Sequence, residues 1–285
     1  MHYLVHKPCP PLRAFVDYLW SINDTPRHAL ERILPSGSME MVISVSWTEE
    51  IDRRFQGAVV SGCWSGPFDV DARVHVGGLV GVHFRPGGAA RLLGVHAGKI
   101  ANRHIGLEDL WGRRAGELRE RLCAAGNPRQ RFMILEQMLV AVVQQAPTER
   151  GTVKVALAEL DRSGIEVGEV AEQLGLSRRR LIEVFTRDVG ITPKHYSRVR
   201  RFQRSLALAT RRAPPAWAHL ALESGYFDQA HLCRDWMEFT GFSPTEFLAL
   251  CATPVKDNHV ALPEARQSHH WPMVKSVQDG PTFHS

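Results

Sequence analysis

The sequence predicts an α+β protein: a β-rich, barrel-like N-terminal domain with helices packed on it, joined to an all-helical C-terminal domain. Apolar residues alternate with polar ones through much of 38–84, and they recur every three or four positions from about residue 86 onward. The helical part also contains one segment twice, offset by 51 residues. A chain of 285 residues suits two domains, each able to bury its own core. The expected boundaries are 1–146 for the first domain, 147–151 for a linker, 152–250 for the second domain and 251–285 for an irregular tail.

The elements follow in chain order. Leu12, Phe15, Val16 and Leu19 have helical spacing, which predicts a short amphipathic helix after the prolines. In SMEMVISVSW (38–47), Met41, Ile43, Val45 and Trp47 alternate as in a half-buried strand, and 58–64 and 72–84 read similarly. PGGAARLLGV (86–95) then predicts a short helix. Leu107, Leu110, Trp111, Leu118 and Leu122 share a second helical face, and Asn127-Pro128 starts a third helix as cap and first residue. That helix carries Phe132, Leu135, Leu139 and Val142 in one stripe. Beyond Ala252 the periodicity is lost, with only Trp271, Met273 and Val277 as docking candidates.

Composition narrows the function classes. Apolar content of 44% and charged content of 23% are those of an ordinary globular protein, and no run of eighteen apolar residues exists to span a membrane. The N-terminus lacks the pattern of a secretory signal. The five cysteines (Cys9, Cys63, Cys123, Cys233, Cys251) are widely separated, which argues against a disulfide framework or a structural zinc site and for the cytoplasm. Net charge is +5, but it is unevenly spread. Ser177 to Arg212 holds eleven basic residues against two acids, Glu183 and Asp188, so this window carries +9 and the remainder is net negative. Such clustering points to a polyanionic partner.

The repeat lies in that window and beyond it. In 166–196, Val167, Val170, Ala171 and Leu174 form one helical face, Gly175 supplies a turn, and Ser177 caps a second helix with Leu181, Val184 and Phe185 inward. In 216–247, Trp217, Leu220 and Ala221 begin a helix, Gly225 turns, and Asp228 caps a helix carrying Leu232, Trp236 and Phe239. The offset of 51 matches Ser177 with Asp228, Phe185 with Trp236, and Gly190-Ile-Thr-Pro193 with Gly241-Phe-Ser-Pro244. Both copies read as helix-turn-helix units. Tyr196, Val199, Phe202, Leu206 and Ala209 predict one continuous helix between them, about 25 Å long at a rise of 1.5 Å per residue. A turn of B-DNA is ~34 Å, so two recognition helices on such a spacer can enter successive major grooves if the DNA bends somewhat.

These motifs, A-x-x-L-G-L-S (171–177), L-x-x-x-F (181–185), G-I-T-P (190–193), S-G-Y-F-D-Q-A-H-L (224–232) and G-F-S-P (241–244), resemble the AraC/XylS family of transcription regulators across 151–250. The stretches RILPSGSMEMVI (32–43), GVHFRPGGAARLLG (81–94) and LEDLWG (107–112) resemble a sensor domain found fused to such modules. The resemblance implies effector-controlled binding to promoter or operator DNA, often as a homodimer, with RNA polymerase as a further partner and no enzymatic activity.

On the first recognition helix the outward stripe is Arg179, Ile182, Glu183 and Thr186, which are expected to contact bases. Glu183 has an alternative as an intrahelical partner of Arg179 or Arg187. On the second helix the base-reading candidates are Gln229, His231 and Arg234, set among Ala230, Cys233 and Met237. Ser177, Arg178, Arg180, Arg187, Arg198, Arg201 and Asp228 are the candidates for phosphates, which set register without reading sequence. In the first domain Arg85 precedes a Pro-Gly-Gly turn and Arg32 lies near Pro35-Ser36-Gly37; either turn can cradle an anion. Trp64 can line an apolar pocket, and His83 completes the effector candidates. His75 and His83 lack a third ligand, so no metal or cofactor is expected. A catalytic domain fused to a DNA-targeting module is the competing reading, but it lacks a nucleophile with its base.

Overall fold

The computed structural model describes residues 3–23, 28–46, 57–72, 78–145, 151–162, 165–211, 216–250, 258–262 and 273–274. Trp47, His75, Cys251, Trp271 and Val277 lie outside them, as does most of the expected linker. Two sheets form the N-terminal part. The larger is antiparallel, in the order β1 (Tyr3–His6), β2 (Val16–Ile22), β7 (Leu79–Phe84), β4 (Glu40–Ser44), β5 (Ala58–Ser61) and β8 (His104–Gly106). The smaller runs β10 (Met273–Val274), β6 (Phe68–Asp71), β3 (Leu30–Ile33) and β9 (His259–Leu262).

Neither sheet closes into a barrel, which corrects the expected barrel-like architecture. Alternation reports only that one face of a strand is buried. Whether edge strands meet is decided by long-range pairing, and here β1 and β8 remain edges. The expected helix over 12–19 is a second correction. Pro10–Leu12 form a single 3₁₀ turn and the chain then becomes β2, because Val16, Tyr18, Trp20 and Ile22 suit a strand and pair with β7. Leu12, Val16 and Leu19 are nonetheless fully buried. Beside them Gly81 is obligatory in β7, since an added Cβ would lie 2.3 Å from the Trp20 ring.

The helices are α1 (Gly88–Leu93), α2 (Leu107–Trp111), α3 (Arg113–Ala124), α4 (Pro128–Gln145), α5 (Thr152–Leu160), α6 (Val167–Gln173), α7 (Arg178–Val189), α8 (Pro193–Ala209), α9 (Trp217–Glu223), α10 (Gln229–Thr240) and α11 (Pro244–Leu250). The single face read over 107–122 is two helices, broken at Gly112. The Asn127 cap is present, accepting a bond from the Gln130 backbone N–H at 3.0 Å. The tail is not irregular throughout. β9 pairs antiparallel with β3, and β10 pairs parallel with β6.

Two hydrophobic cores straddle the expected domain boundary. One runs from Leu12, Met41 and Phe84 through Leu118 and Leu135 to Phe185 and Tyr196, so the first helix-turn-helix unit packs on the large sheet and its helices. The other joins Leu30, Leu34, Val260 and Leu262 to Phe202, Trp236 and Phe247, so the second unit packs on the small sheet.

Between the sheets, His104 is enclosed by Trp64 and Phe68, with ring centroids 5.3 and 5.2 Å away. Burial pushes its pKa down to about 4, against a smaller upward pull from Glu40. The folded ring thus takes up a proton only near pH 4, whereas the unfolded ring does so near 6.5. As pH falls through that window the unfolded state binds more protons and stability declines. We expect on the order of 2–3 kcal/mol to be lost between pH 7 and 4 through this residue, and His104→Phe to remove that part of the loss. Urea midpoints with the same pH dependence in both proteins would refute this.

Candidate nucleic-acid interface

Both recognition helices are built as their sequences direct. The Ser177 hydroxyl accepts a bond from the Arg180 backbone N–H at 3.2 Å, and the Asp228 carboxylate accepts one from the His231 N–H at 2.7 Å. These caps fix the starts of α7 and α10, and left-handed Gly190 and Gly241 end them. Inward residues are sealed: Leu181 and Phe185 in α7, and Leu232, Trp236 and Phe239 in α10, are fully buried. The Trp236 indole N–H donates to Ser205 of α8 at 2.8 Å, which ties the second unit to the spacer helix.

The two units are not the same length, a difference the 51-residue offset hides. Leu176 N–H bonds Ala171 carbonyl in the first, and Tyr226 N–H bonds Ala221 carbonyl in the second, so the first helices correspond at an offset of 50. The recognition helices correspond at 51. The additional residue is Phe227, which is 86% exposed. Sequence reasoning missed it because the turn was matched through its glycine and its cap separately.

Arg178, Arg179, Arg180, Ile182, Glu183 and Arg187 of α7 are exposed, as are Gln229, Ala230, Arg234 and Met237 of α10. Glu183 pairs with Arg180 at 2.9 Å, not with Arg179 or Arg187, which leaves Arg179 unscreened by that carboxylate. Arg187 pairs with its neighbour Asp188 at 2.6 Å, and this hydrogen bond raises its pKa. His231 is half-buried, edge-on to Tyr226 at 5.1 Å. Cys233 is half-buried, and burial raises its thiol pKa.

Other candidates are engaged inside the protein. Thr186 is only partly exposed, because the 3₁₀ turn Ala97–Lys99 of the N-terminal part lies against it. A Cβ on Gly98 would sit 3.2 Å from its methyl group, so in this arrangement Thr186 faces protein instead of a groove. Arg198 is held by Asp235 at 2.7 Å and by Glu238; the Glu238 bond in particular raises its pKa. The Arg201 guanidinium lies over the Tyr226 ring, 5.4 Å from its centroid. These two arginines brace α8 against the second unit, a use that helical spacing cannot distinguish from phosphate binding.

The four effector candidates also separate. Arg32 is 1% exposed and bonds both oxygens of Asp69, at 2.7 and 2.9 Å, and the Thr240 carbonyl at 2.9 Å. It is an internal tie, not an open anion cradle. Trp64 is buried, its N–H on Ser61 and its ring stacked on Phe68 at 4.2 Å. His83 stacks on Tyr18 at 4.8 Å, and Arg85 pairs with Asp17 at 3.1 Å; both border a large cleft. Among the described residues, no group of three or more His, Cys, Asp or Glu is placed to hold a metal ion, and no helix is long and apolar enough to cross a membrane.

Residues 170–249 match a family described as "Helix-turn-helix domain", and residues 4–106 match one described as "Domain of unknown function (DUF6597)". Over 101 residues the chain is 34% identical to the Arabinose operon regulatory protein of Escherichia coli, covering 35% of this chain and 34% of that protein. Residues 170–249 thus form a helix-turn-helix domain, similar to part of that arabinose regulator. A second relative, an uncharacterized HTH-type transcriptional regulator of Haemophilus influenzae, is 24% identical over 114 residues, covering 40% of this chain and 37% of its own. The chain thus spans little more than a third of the curated relatives it matches. Among solved structures, ToxT of Vibrio cholerae aligns over 87% of this chain and 96% of its own with 10% identity and a TM-score of 0.35. An AraC-type regulator of Chromobacterium violaceum covers 36% of this chain and 94% of its own, with 21% identity and a TM-score of 0.33.

Proposed function

We propose that the protein is a sequence-specific DNA-binding transcription regulator of the cytoplasm, in which an N-terminal regulatory domain (1–146) that takes a small-molecule effector controls the AraC-type domain (152–250). One observation carries the reading: two capped recognition helices keep sealed inner faces while Arg178, Arg179, Arg180 and Arg234 remain exposed. In this reading Arg179 takes a guanine edge, Ile182 meets a thymine methyl, and Gln229, His231 and Arg234 read the second half-site. Ser177, Arg178, Arg180, Arg187 and Asp228 lie along the backbone, the acid of Asp228 being occupied by its own cap bond. The resemblance to activators in this family adds a homodimer and contact with RNA polymerase.

A salt titration of duplex binding tests the first step. The three arginines assigned to phosphates, Arg178, Arg180 and Arg187, imply a slope of log affinity on log salt of about −3, at ~0.9 per phosphate contact. A slope near zero would remove DNA from the account. Once a bound site is known from footprinting, Arg179→Ala is expected to lose ~1–3 kcal/mol of discrimination at one base pair. Arg234→Ala is expected to weaken binding more evenly across sequences, because α10 offers few other donors. Equal loss of discrimination from both variants would contradict this division of labour.

A further inference from the structure

The outward stripe of the second recognition helix differs in kind from that of the first. Phe227, Ala230, Arg234 and Met237 are spaced 3, 4 and 3 residues apart, so they follow one line from the turn onto α10, and all four are exposed. At the offset of 51 that aligns the recognition helices, Ala230 stands where α7 has Arg179, Arg234 where it has Glu183, and Met237 where it has Thr186. Two polar positions of the first unit are therefore apolar in the second. Phe227, which has no counterpart, extends the apolar stripe at its N-terminal end. Phe227 is 86% exposed and Met237 48%. The backbone of Phe227 is nonetheless held from both sides. Tyr226 before it is buried, edge-on to His231 at 5.1 Å and with the Arg201 guanidinium 5.4 Å from its ring centroid. Asp228 after it is the helix cap. An aromatic side chain presented in this way, with two rotatable bonds, loses little entropy when a partner covers it.

We infer that the second unit selects its half-site by thymine methyl groups, which pack against Phe227 and Ala230 in the major groove. The inference rests on the DNA-binding reading above and names what the second unit recognises. The C5-methyl of thymine is the apolar group that base edges present in the major groove; guanine, adenine and cytosine present ring nitrogens, carbonyls and amino groups. An apolar side chain laid against those polar groups strips their water and returns no hydrogen bond. Against a methyl group it buries apolar surface on both partners. The residues also stand at the right end of the helix, because the N-terminal turn of a recognition helix is the part that reaches base edges. Phe227 and Ala230 are there, whereas Met237 lies about 10 Å further along the axis at 1.5 Å per residue, toward the rim of the groove. Arg234 within the stripe, whose Nε–H donates to the Ala230 carbonyl at 3.3 Å, and Gln229 beside it supply donors for the accompanying purines. Equivalence to the base-facing positions of α7 is what favours DNA over a protein partner for this stripe.

The probe is a duplex enriched by the full chain from a random-sequence pool, then synthesised with deoxyuridine in place of each thymidine in turn. This change removes the methyl group and keeps the base pair. At one or more positions the parent is expected to lose affinity about fourfold, the equivalent of ~0.8 kcal/mol for one buried carbon group. Phe227→Ala, its fold checked by its urea midpoint, is expected to bind the thymine duplex more weakly and to bind the uracil and thymine duplexes alike at such a position. Ile182→Ala, in the first unit, is expected to keep that difference. An enriched duplex that tolerates uracil everywhere, or a uracil effect that persists unchanged in Phe227→Ala, would overturn the inference and leave DNA recognition standing. If no duplex is enriched, the inference falls, and the salt slope decides whether DNA binding falls with it. If Phe227→Ala binds duplexes as the parent does but loses self-association in sedimentation, the stripe joins two copies of the chain and the inference is again overturned.

Discussion

Asp69→Ala is expected to cost the protein about 3–5 kcal/mol, the range for breaking a buried ion pair from one side. The loss comes mainly from what remains. Arg32, 1% exposed beside the Thr240 carbonyl and the face of Phe242, 5.4 Å from the guanidinium carbon, would lose the carboxylate that pairs with it. Because Thr240 ends α10, the damage reaches the second helix-turn-helix unit from a strand more than 150 residues away in sequence. Asp69→Leu combined with Arg32→Met should recover much of the stability, since matched apolar replacement of a buried pair is often neutral. Urea denaturation of the three variants measures this. A single-variant loss below about 1 kcal/mol would show that water reaches the pair.

Removing residues 258–285 is the second change with a large expected effect. Val260 and Leu262 are 4% and 3% exposed in the core shared with the second unit, and burying two such side chains contributes ~3–6 kcal/mol. Truncation also strips β3 of a partner over Leu30–Ile33 and takes away His259, whose ring nitrogen lies 2.9 Å from the Glu31 carboxylate. An unprotected apolar strand edge favours self-association, so the shortened chain should show both a lower urea midpoint and a concentration-dependent increase in size. Val260→Asp in the full chain should reproduce the stability loss without altering length. A truncated chain as stable as the parent would show that β9 is an adornment of the sheet.

Local chemistry was the legible part. Caps at Ser177, Asp228 and Asn127, the apolar stripes of α4, α7, α8 and α10, and strands β4 and β5 each depend on a few adjacent residues. What escaped depends on distant partners. Residues 12–19 have helical spacing, yet Val16 to Ile22 became a strand because β7 was there to pair with it. The tail lost its periodicity because a four-residue edge strand such as β9 is too short to show one. Arg198 and Thr186 sit at positions facing outward on their own helices, and only the presence of Asp235, Glu238 and Gly98 from other segments turns them inward. For the effector candidates, a basic residue beside a glycine turn looked alike at Arg32 and Arg85, but Asp69 neutralises the first within the fold while the second borders the cleft.

Phe227 has a consequence for how the protein meets its target. One residue more in the turn of the second unit means that the two units do not match residue for residue along their full length. On the proposed function their half-sites need not share a consensus, and a monomer turned end over end on the duplex is expected to find mismatched contacts at both positions. On that reading a bound site acquires a direction from the unequal units of one protein chain, whether or not a second copy joins it.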